Sequence, residues 1–418
     1  MQALTLAQNL KNGLDKLSKA TPRRTTLPIL NHVMLRPYGD DRLRLQATNL
    51  EMAITVDIPA KVKEQGELGG ATAPYKLFSE WISNMDKDAG LSLTAEADKS
   101  FRDGSPEYNN HTLKAECRSY RSTLKGFPVE EYPAIVTPGD FLSQTIIYQV
   151  QLPVSKIVQA EQLTYATVDD TTRPAYNGVL FEFKDSCLYM TALDGYRMGH
   201  ATFALSEATG RHIVLLPVSA ANLLAQLAGE AWKQANPKKG NYPQEVTCTF
   251  YLLRRVGSEG LQVLIHFPTL ETSLFSQSIT ANYPNYNVLL NTDYKTEITL
   301  DRQALLEAVD RVGRLAGVSL DVSIKDNVVG LLAQDAQMGD CYDEVSGWGG
   351  EYSPVSFKMA PKYLRDAISQ CKAVAIRLRY DGVKIVIQPE GDDTMLHAAM
   401  GFGQKERQEN HHANYAAV

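Results

Sequence analysis

Ala73-Pro74-Tyr75-Lys76 returns as Leu216-Pro217-Val218-Ser219 and again as Ala360-Pro361-Lys362-Tyr363. Proline just inside a helix start is favoured, because the N–H it lacks has no partner there in any case. Each of these openers leads into a stretch of helical apolar spacing. A second series is interleaved with the first: Leu6-Ala7-Gln8, Leu152-Pro153-Val154-Ser155 and Leu300-Asp301-Arg302-Gln303. Both share a period of about 145 residues, far beyond the 20 to 50 of a solenoid module and enough for a domain with its own core. The chain is an internal triplicate with two helices, each of about 10 to 14 residues, in every repeat.

Outward from the helices the repeats read as strands. Residues 32–36 and 43–47 in repeat one, and 178–183 and 188–192 in repeat two, are alternating or apolar runs separated by Gly39-Asp40-Asp41 and Lys184-Asp185-Ser186, which is hairpin chemistry. After the second helix the pattern resumes at 91–95, 246–250 and 375–379. Each repeat is itself a doubled motif of strand, helix and antiparallel strands, so the chain holds six pseudo-repeats. The expected fold class is α+β: three similar domains of two helices packed on antiparallel sheets, over 1–140, 141–292 and 293–403. Residues 404–418 have no apolar period and are expected to be a mobile tail.

Composition excludes several classes. At 44% hydrophobic and 22% charged residues the chain is an ordinary globular protein, and no apolar run is long enough for a membrane span. Gln8, Asn9, Lys11 and Asn12 interrupt what would be the core of a signal peptide, so a cytoplasmic location is expected. Cys117, Cys187, Cys248, Cys341 and Cys371 are scattered, with no C-x-x-C pair, which points to buried thiols rather than a disulfide framework or zinc site. Asp169-Asp170 and Gly391-Asp392-Asp393 sit in turn-like segments, where Asp accepts local backbone hydrogen bonds. Gly347-Trp348-Gly349-Gly350 lacks the strand, helix and Lys-Ser/Thr context of a phosphate loop. No nucleophile-base pair stands out, so no catalytic residue, metal or cofactor is expected.

The formal charge of −6 argues against nucleic acid at face value, yet the distribution matters more than the sum. Lys11, Lys16 and Lys19 lie opposite the Leu10, Leu14, Leu17 face of the first helix, and Arg23 and Arg24 follow. In repeat three Arg302, Arg311 and Arg314 occupy the first helix, and Lys362, Arg365 and Lys372 the second. Any one of these helices, balanced by Asp15, Glu307, Asp310 or Asp366, reads more readily as a solvated face. Equivalent helices in like domains would, however, line one common surface. Repeat two is thinner, with Lys156 nearly alone in its first helix and Lys233, Lys238 and Lys239 at or beyond the end of its second.

Five further segments occur in order: Thr26-Leu27-Pro28-Ile29-Leu30, Ala47-Thr48-Asn49-Leu50-Glu51-Met52, Arg173-Pro174-Ala175-Tyr176-Asn177-Gly178, Ala192-Leu193-Asp194-Gly195-Tyr196-Arg197-Met198 and Tyr283-Pro284-Asn285-Tyr286. Together, on a triplicated chain, they resemble the bacterial sliding clamp, the beta subunit of DNA polymerase III, over residues 1 to about 403. The resemblance implies a half ring that pairs head to tail with a second chain, giving six domains with helices inside and sheets outside. It implies a non-catalytic processivity factor that encircles double-stranded DNA without reading sequence, with Lys11, Lys16, Lys19, Arg23, Arg24, Arg302, Arg311, Lys362 and Arg365 as phosphate contacts. Phosphate contacts permit sliding, whereas base contacts would trap the protein at some positions, and an acidic exterior would steer DNA to the basic hole.

It further implies a cleft in which polymerases and clamp-loader subunits dock short apolar peptide motifs, lined by Arg173, Tyr176, Leu193, Gly195, Tyr196, Arg197, Met198, Pro284, Leu289, Ala398, Ala399 and Met400. From periodicity alone Tyr176, Leu193 and Met198 would read as core. At the dimer interface Leu124 and Leu315 match the family's apolar contacts, while Arg314 replaces one. The family commonly has His where Tyr196 stands and a larger apolar pair in place of Ala398-Ala399, and Met400-Gly401-Phe402-Gly403 runs on into the tail. The alternative function is a clamp-derived interaction scaffold that keeps the cleft and does not encircle DNA.

Overall fold

The computed structural model describes residues 1–402 apart from 23, 103–104, 119, 140, 142–143, 171, 208–209, 238–242, 291–292 and 351–353, with backbone alone for 100–102 and 105–108. Arg23, Lys238, Lys239 and the 404–418 tail therefore lie outside the described residues. The helices are α1 (Ala7–Leu17), α2 (Tyr75–Ser83), α3 (Val154–Ile157), α4 (Val218–Ala235), α5 (Asn287–Leu290), α6 (Arg302–Gly313) and α7 (Pro361–Gln370). All but the single-turn α5 begin at the six openers.

The local reasons are legible. In α1 the buried residues Ala7, Leu10, Leu14 and Leu17 follow helical spacing. A Cβ on Gly13 would come 2.6 Å from Leu45, so glycine lets this helix lie close on its sheet. The α6 start is capped by Asp301, whose carboxylate accepts from Ala304 N at 2.7 Å. The first helix of repeat two departs from expectation: α3 stops after one turn and continues as a 3-10 stretch, Val158–Ala166. Val154, Ile157, Ala160, Leu163 and Ala166 are all buried, an interval of three that matches a 3-10 helix rather than an α-helix.

The chain forms two compact units, Met1–Ile157 with Gln226–Ser278, and Val158–Ala225 with Ile279–Val418. Unit one holds a five-stranded and an eight-stranded sheet; unit two holds a sheet of twelve strands. All the strand pairs among the described residues are antiparallel, and the predicted strand segments fall within strands except that 246–250 begins one residue early, at Val246, before the strand Thr247–Arg255. The sheets are longer than one repeat because they run on between repeats. In unit one the last strand of repeat two, Thr272–Gln277, pairs with Met52–Pro59 of repeat one, Phe275 opposite Ala53. In unit two the last strand of repeat three, Met395–Met400, pairs with Arg197–Ala204 of repeat two, Ala398 opposite Met198.

One turn introduces the receiving strand in each repeat. Asn49 Oδ1 accepts from Glu51 N (3.1 Å) and Met52 N (2.8 Å); Asp194 Oδ1 accepts from Tyr196 N (2.8 Å) and Arg197 N (2.7 Å); Asp335 Oδ1 accepts from Gln337 N and Met338 N, both at 2.8 Å. The first two turns lead into the strands that carry the joins. The third leads into Gly339–Trp348, which pairs along its length with Val328–Asp335 and on its other side only at Gly347 and Trp348, among the described residues. Residues 339–346 thus present a free sheet edge.

Candidate functional site

The join in unit two carries a shallow groove, partly open to solvent. Its lip is the Asp194 turn, where Gly195 takes a φ of +94° that other residues adopt only at a cost. Its floor and walls are Leu193, Met198, Ala398, Ala399 and Met400 from the joined strands, Tyr176 from the 3-10 turn Pro174–Tyr176, and Pro284 and Leu289. With Tyr196 and Arg197, eleven of the twelve residues named for the cleft line this groove. Arg173 does not: it pairs with Asp170 at 2.9 Å and lies 5.5 Å from the Tyr176 ring. The Thr172 hydroxyl and Arg173 hold the Asp170 carboxyl down to about 2. Both paired-carboxylate segments are turns, since Asp392 likewise accepts from Thr394 N and Oγ1.

The groove is preformed. Leu193 and Met198 are only 4% and 1% exposed and belong to one apolar cluster with Leu180, Leu215, Tyr286, Val386 and Ala398. Periodicity read these side chains as core, and they are core and groove wall at once. Tyr286 donates to Glu182 Oε2 at 2.7 Å, and Tyr283 donates to the Thr191 carbonyl at 3.0 Å, fixing the linker that forms one wall. Beneath the join, burial holds the His200 and His397 imidazoles down to about 4 and about 3. Arg197 is bound at the lip by Asp194 (2.7 Å) and by Asp366 of α7 (2.6 Å).

Three lining residues went unnamed in the sequence: Asn285, Tyr286 and Lys384. The first two follow Pro284 in a segment already singled out. Lys384 reads as a solvent-facing strand residue, yet its ammonium is bonded to Asp381 at 2.7 Å with both side chains under 10% exposed. The Asp381-Gly382 turn before it was the available signal.

The basic candidates sort by environment. Lys19, Arg24 and Lys362 are exposed, and Lys11 is partly so. Burial lowers the Lys16 ammonium against the pull of Glu230. Arg302 donates to the Ala373 carbonyl, Arg311 pairs with Asp343 at 2.7 Å and Arg365 with Asp310 at 2.6 Å. Of the dimer candidates, Arg314 is exposed, Leu315 packs partly against the core of its own unit, and Leu124 is 5% exposed. Leu124 therefore offers no free apolar face; its strand, Tyr120–Lys125, offers a free edge among the described residues.

All five cysteines are free thiols. No group of metal-ligating side chains occurs among the described residues, and none of their helices is long and apolar enough to cross a membrane.

Residues 4–136 match the family model for the DNA polymerase III beta subunit N-terminal domain, and residues 287–402 match that for its C-terminal domain, together well over half of the chain. The beta sliding clamp of Staphylococcus aureus is 23% identical over 394 residues, covering 91% of this chain and 94% of that protein. That of Haemophilus influenzae is 24% identical over 382 residues, covering 90% and 92%. Among solved structures, a Pseudomonas aeruginosa sliding clamp bound to griselimycin superposes with a TM-score of 0.80 at 19% identity, covering 97% of this chain and 100% of the other. The Bacillus subtilis clamp gives 0.79 at 19% identity, covering 97% and 99%.

Proposed function

The chain belongs to the DNA polymerase III beta subunit family, and from that premise we propose that it is a DNA sliding clamp. It encircles duplex DNA without sequence preference and tethers polymerase and clamp-loader subunits through the groove at the second join. The observation that carries this reading is the pairing of a preformed apolar groove with two sheets, each joining successive repeats once, and a third, equivalent edge left open. The clamp catalyses no reaction itself and works in the cytoplasm, where the replicative polymerase works. The repeats, 1–140, 141–292 and 293–403, are its three domains.

The open place defines the partner. The turns at Asn49, Asp194 and Asp335 make Met52, Arg197 and Met338 equivalent; in the two built joins Met52 faces Ser276 and Arg197 faces Ala399. Gly126 N donates to the His111 carbonyl as Ser278 N donates to that of Leu261, which makes Leu124 the counterpart of Ser276. A second copy of the chain would lay its Tyr120–Lys125 strand against 338–342, with Met338 opposite the partner subunit's Leu124. Met338, Tyr342 and Tyr120 are 70%, 60% and 52% exposed, as befits side chains awaiting cover. A head-to-tail contact of this kind closes when the rotation does, and two chains of three domains supply six. Lys19, Arg24 and Lys362, exposed and basic, are the first phosphate contacts.

The test is topological. Protein placed on covalently closed circular duplex by a clamp loader should stay bound through gel filtration and be lost when the circle is cut. A protein that never associates with the circle yet binds apolar peptide would instead be the interaction scaffold, and sedimentation showing monomer alone at micromolar concentration would remove the ring.

A further inference from the structure

Helix α7 has three working faces. Leu364, Ala367 and Ile368 are buried against the core. Lys362 and Arg365 point outward, Arg365 held by Asp310 of α6 at 2.6 Å. Tyr363 and Asp366 occupy the face between, and both touch the groove lip: Asp366 bonds the Arg197 guanidinium at 2.6 Å, the Tyr363 ring lies 4.8 Å beneath that guanidinium, and Tyr363 stacks on Tyr196 with centroids 6.2 Å apart. Arg197 and Tyr196 line the groove. Asp194 takes the other side of the same guanidinium at 2.7 Å, so two carboxylates share one cation.

Asp366 is bonded to Arg197 on the groove side at 2.6 Å and makes no ion pair with Lys362; Lys362 stands one turn earlier on the same helix, the i, i+4 spacing at which its exposed charge still acts on that carboxylate through space. A phosphate that binds Lys362 and Arg365 takes up their charge. Asp366 is then left with Arg197 as its main cation, and the lip is held more firmly in the geometry that lines the groove. We propose that Asp366 links the two binding surfaces, so that duplex DNA on α7 and an apolar peptide in the groove strengthen one another. The proposal rests on the sliding-clamp reading, which supplies both ligands. Linkage of this kind is reciprocal: each ligand changes the affinity for the other by one factor.

The experiment uses the full-length protein in its native oligomeric state, a short linear duplex and a fluorescein-labelled apolar peptide containing Leu and Phe, at low salt. Saturating duplex should raise peptide affinity about fivefold, at the lower end of measured coupling, and saturating peptide should raise duplex affinity by the same factor. In Asp366→Asn the factor should fall to one, and in Asp366→Glu it should be retained. A wild-type factor of one with both ligands bound would overturn the proposal and leave the clamp reading standing. So would an Asp366→Asn protein that binds peptide more weakly but keeps the fivefold response, since Asp366 would then serve structure alone. Failure of the peptide to bind the wild type at all would remove the docking groove of the clamp reading, and the proposal with it; a linear duplex that does not bind the wild type even at low salt would overturn the proposal alone, since a clamp held by topology slides off open ends.

Discussion

The two joins are built on one plan and end differently. Each begins at an Asx turn, each pairs five residues of a receiving strand with the last strand of the next repeat, and each keeps the same register. In the first, Phe275 stands where the second has Ala398, and Leu50 where the second has Gly195. The Phe275 ring is 8% exposed and packs with Ala53, Leu253 and Leu264, covered by Ile135, Val136, Phe141 and Tyr251. The second join lacks that ring and the side chain at the turn, and a groove lies there instead. A groove takes the place of a filled joint where one aromatic side chain and one aliphatic one are left out.

Acid should separate the joins most. His200 and His397 stand in the second where the first has Thr55 and Leu274. An unfolded His titrates near 6.5, whereas these two stay neutral down to about 4 and about 3. Their folded values are depressed, so the stability they confer is complete above pH 6.5 and is lost as pH falls toward 4 and then 3. The loss should be on the order of 3 kcal/mol for each histidine. Hydrogen exchange should show 197–201 and 395–399 losing protection on acidification well before 52–56 and 272–276. The half-buried His266 beside the first join, also lowered by burial, makes that join's response smaller rather than nil. Equal loss at both joins would break the comparison.

Phe275→Ala should cost about 3 kcal/mol in denaturant unfolding, as truncation of a buried ring does, with peptide affinity unchanged; a cost under about 1 kcal/mol would mean that the ring is not what closes the first join. The converse, Ala398→Phe, should fill the groove and weaken a labelled apolar peptide about a hundredfold, ~2.7 kcal/mol, while sedimentation stays as in wild type. Met198→Ala removes a wall and should weaken the peptide about thirtyfold, ~2 kcal/mol. Because Met198 is 1% exposed, its melting temperature should drop as well. Undiminished peptide binding in either groove variant would place the site elsewhere.

Helix starts, hairpins and the triple period were legible because each is local: a proline at a fixed place, a turn between apolar runs. The joins were not, since nothing in 272–277 says that it will pair with residues more than two hundred positions earlier. The groove was named almost whole through a resemblance, and two of the lapses have physical causes. Arg173 is drawn to Asp170 three residues before it. Lys384 is a cation in a buried strand, neutralised by a carboxylate three residues before it. The 3-10 stretch after α3 could have been found: its apolar residues fall every third position from Val154 to Ala166, but that spacing overlaps the helical pattern sought.

The free edge at 339–346 carries Asp340, Asp343 and Glu344, while the 120–125 strand carries Arg121 and Lys125. A free edge is a template for any strand, including its own copy in another molecule. Two such edges meeting would bring six carboxylates together, and like charges facing across a ladder repel. The basic strand is deterred from itself in the same way. In the proposed head-to-tail dimer, charge would thus favour the pairing of unlike edges over either edge with its own copy, and a ring closed in that way would leave no edge at which a third chain could add.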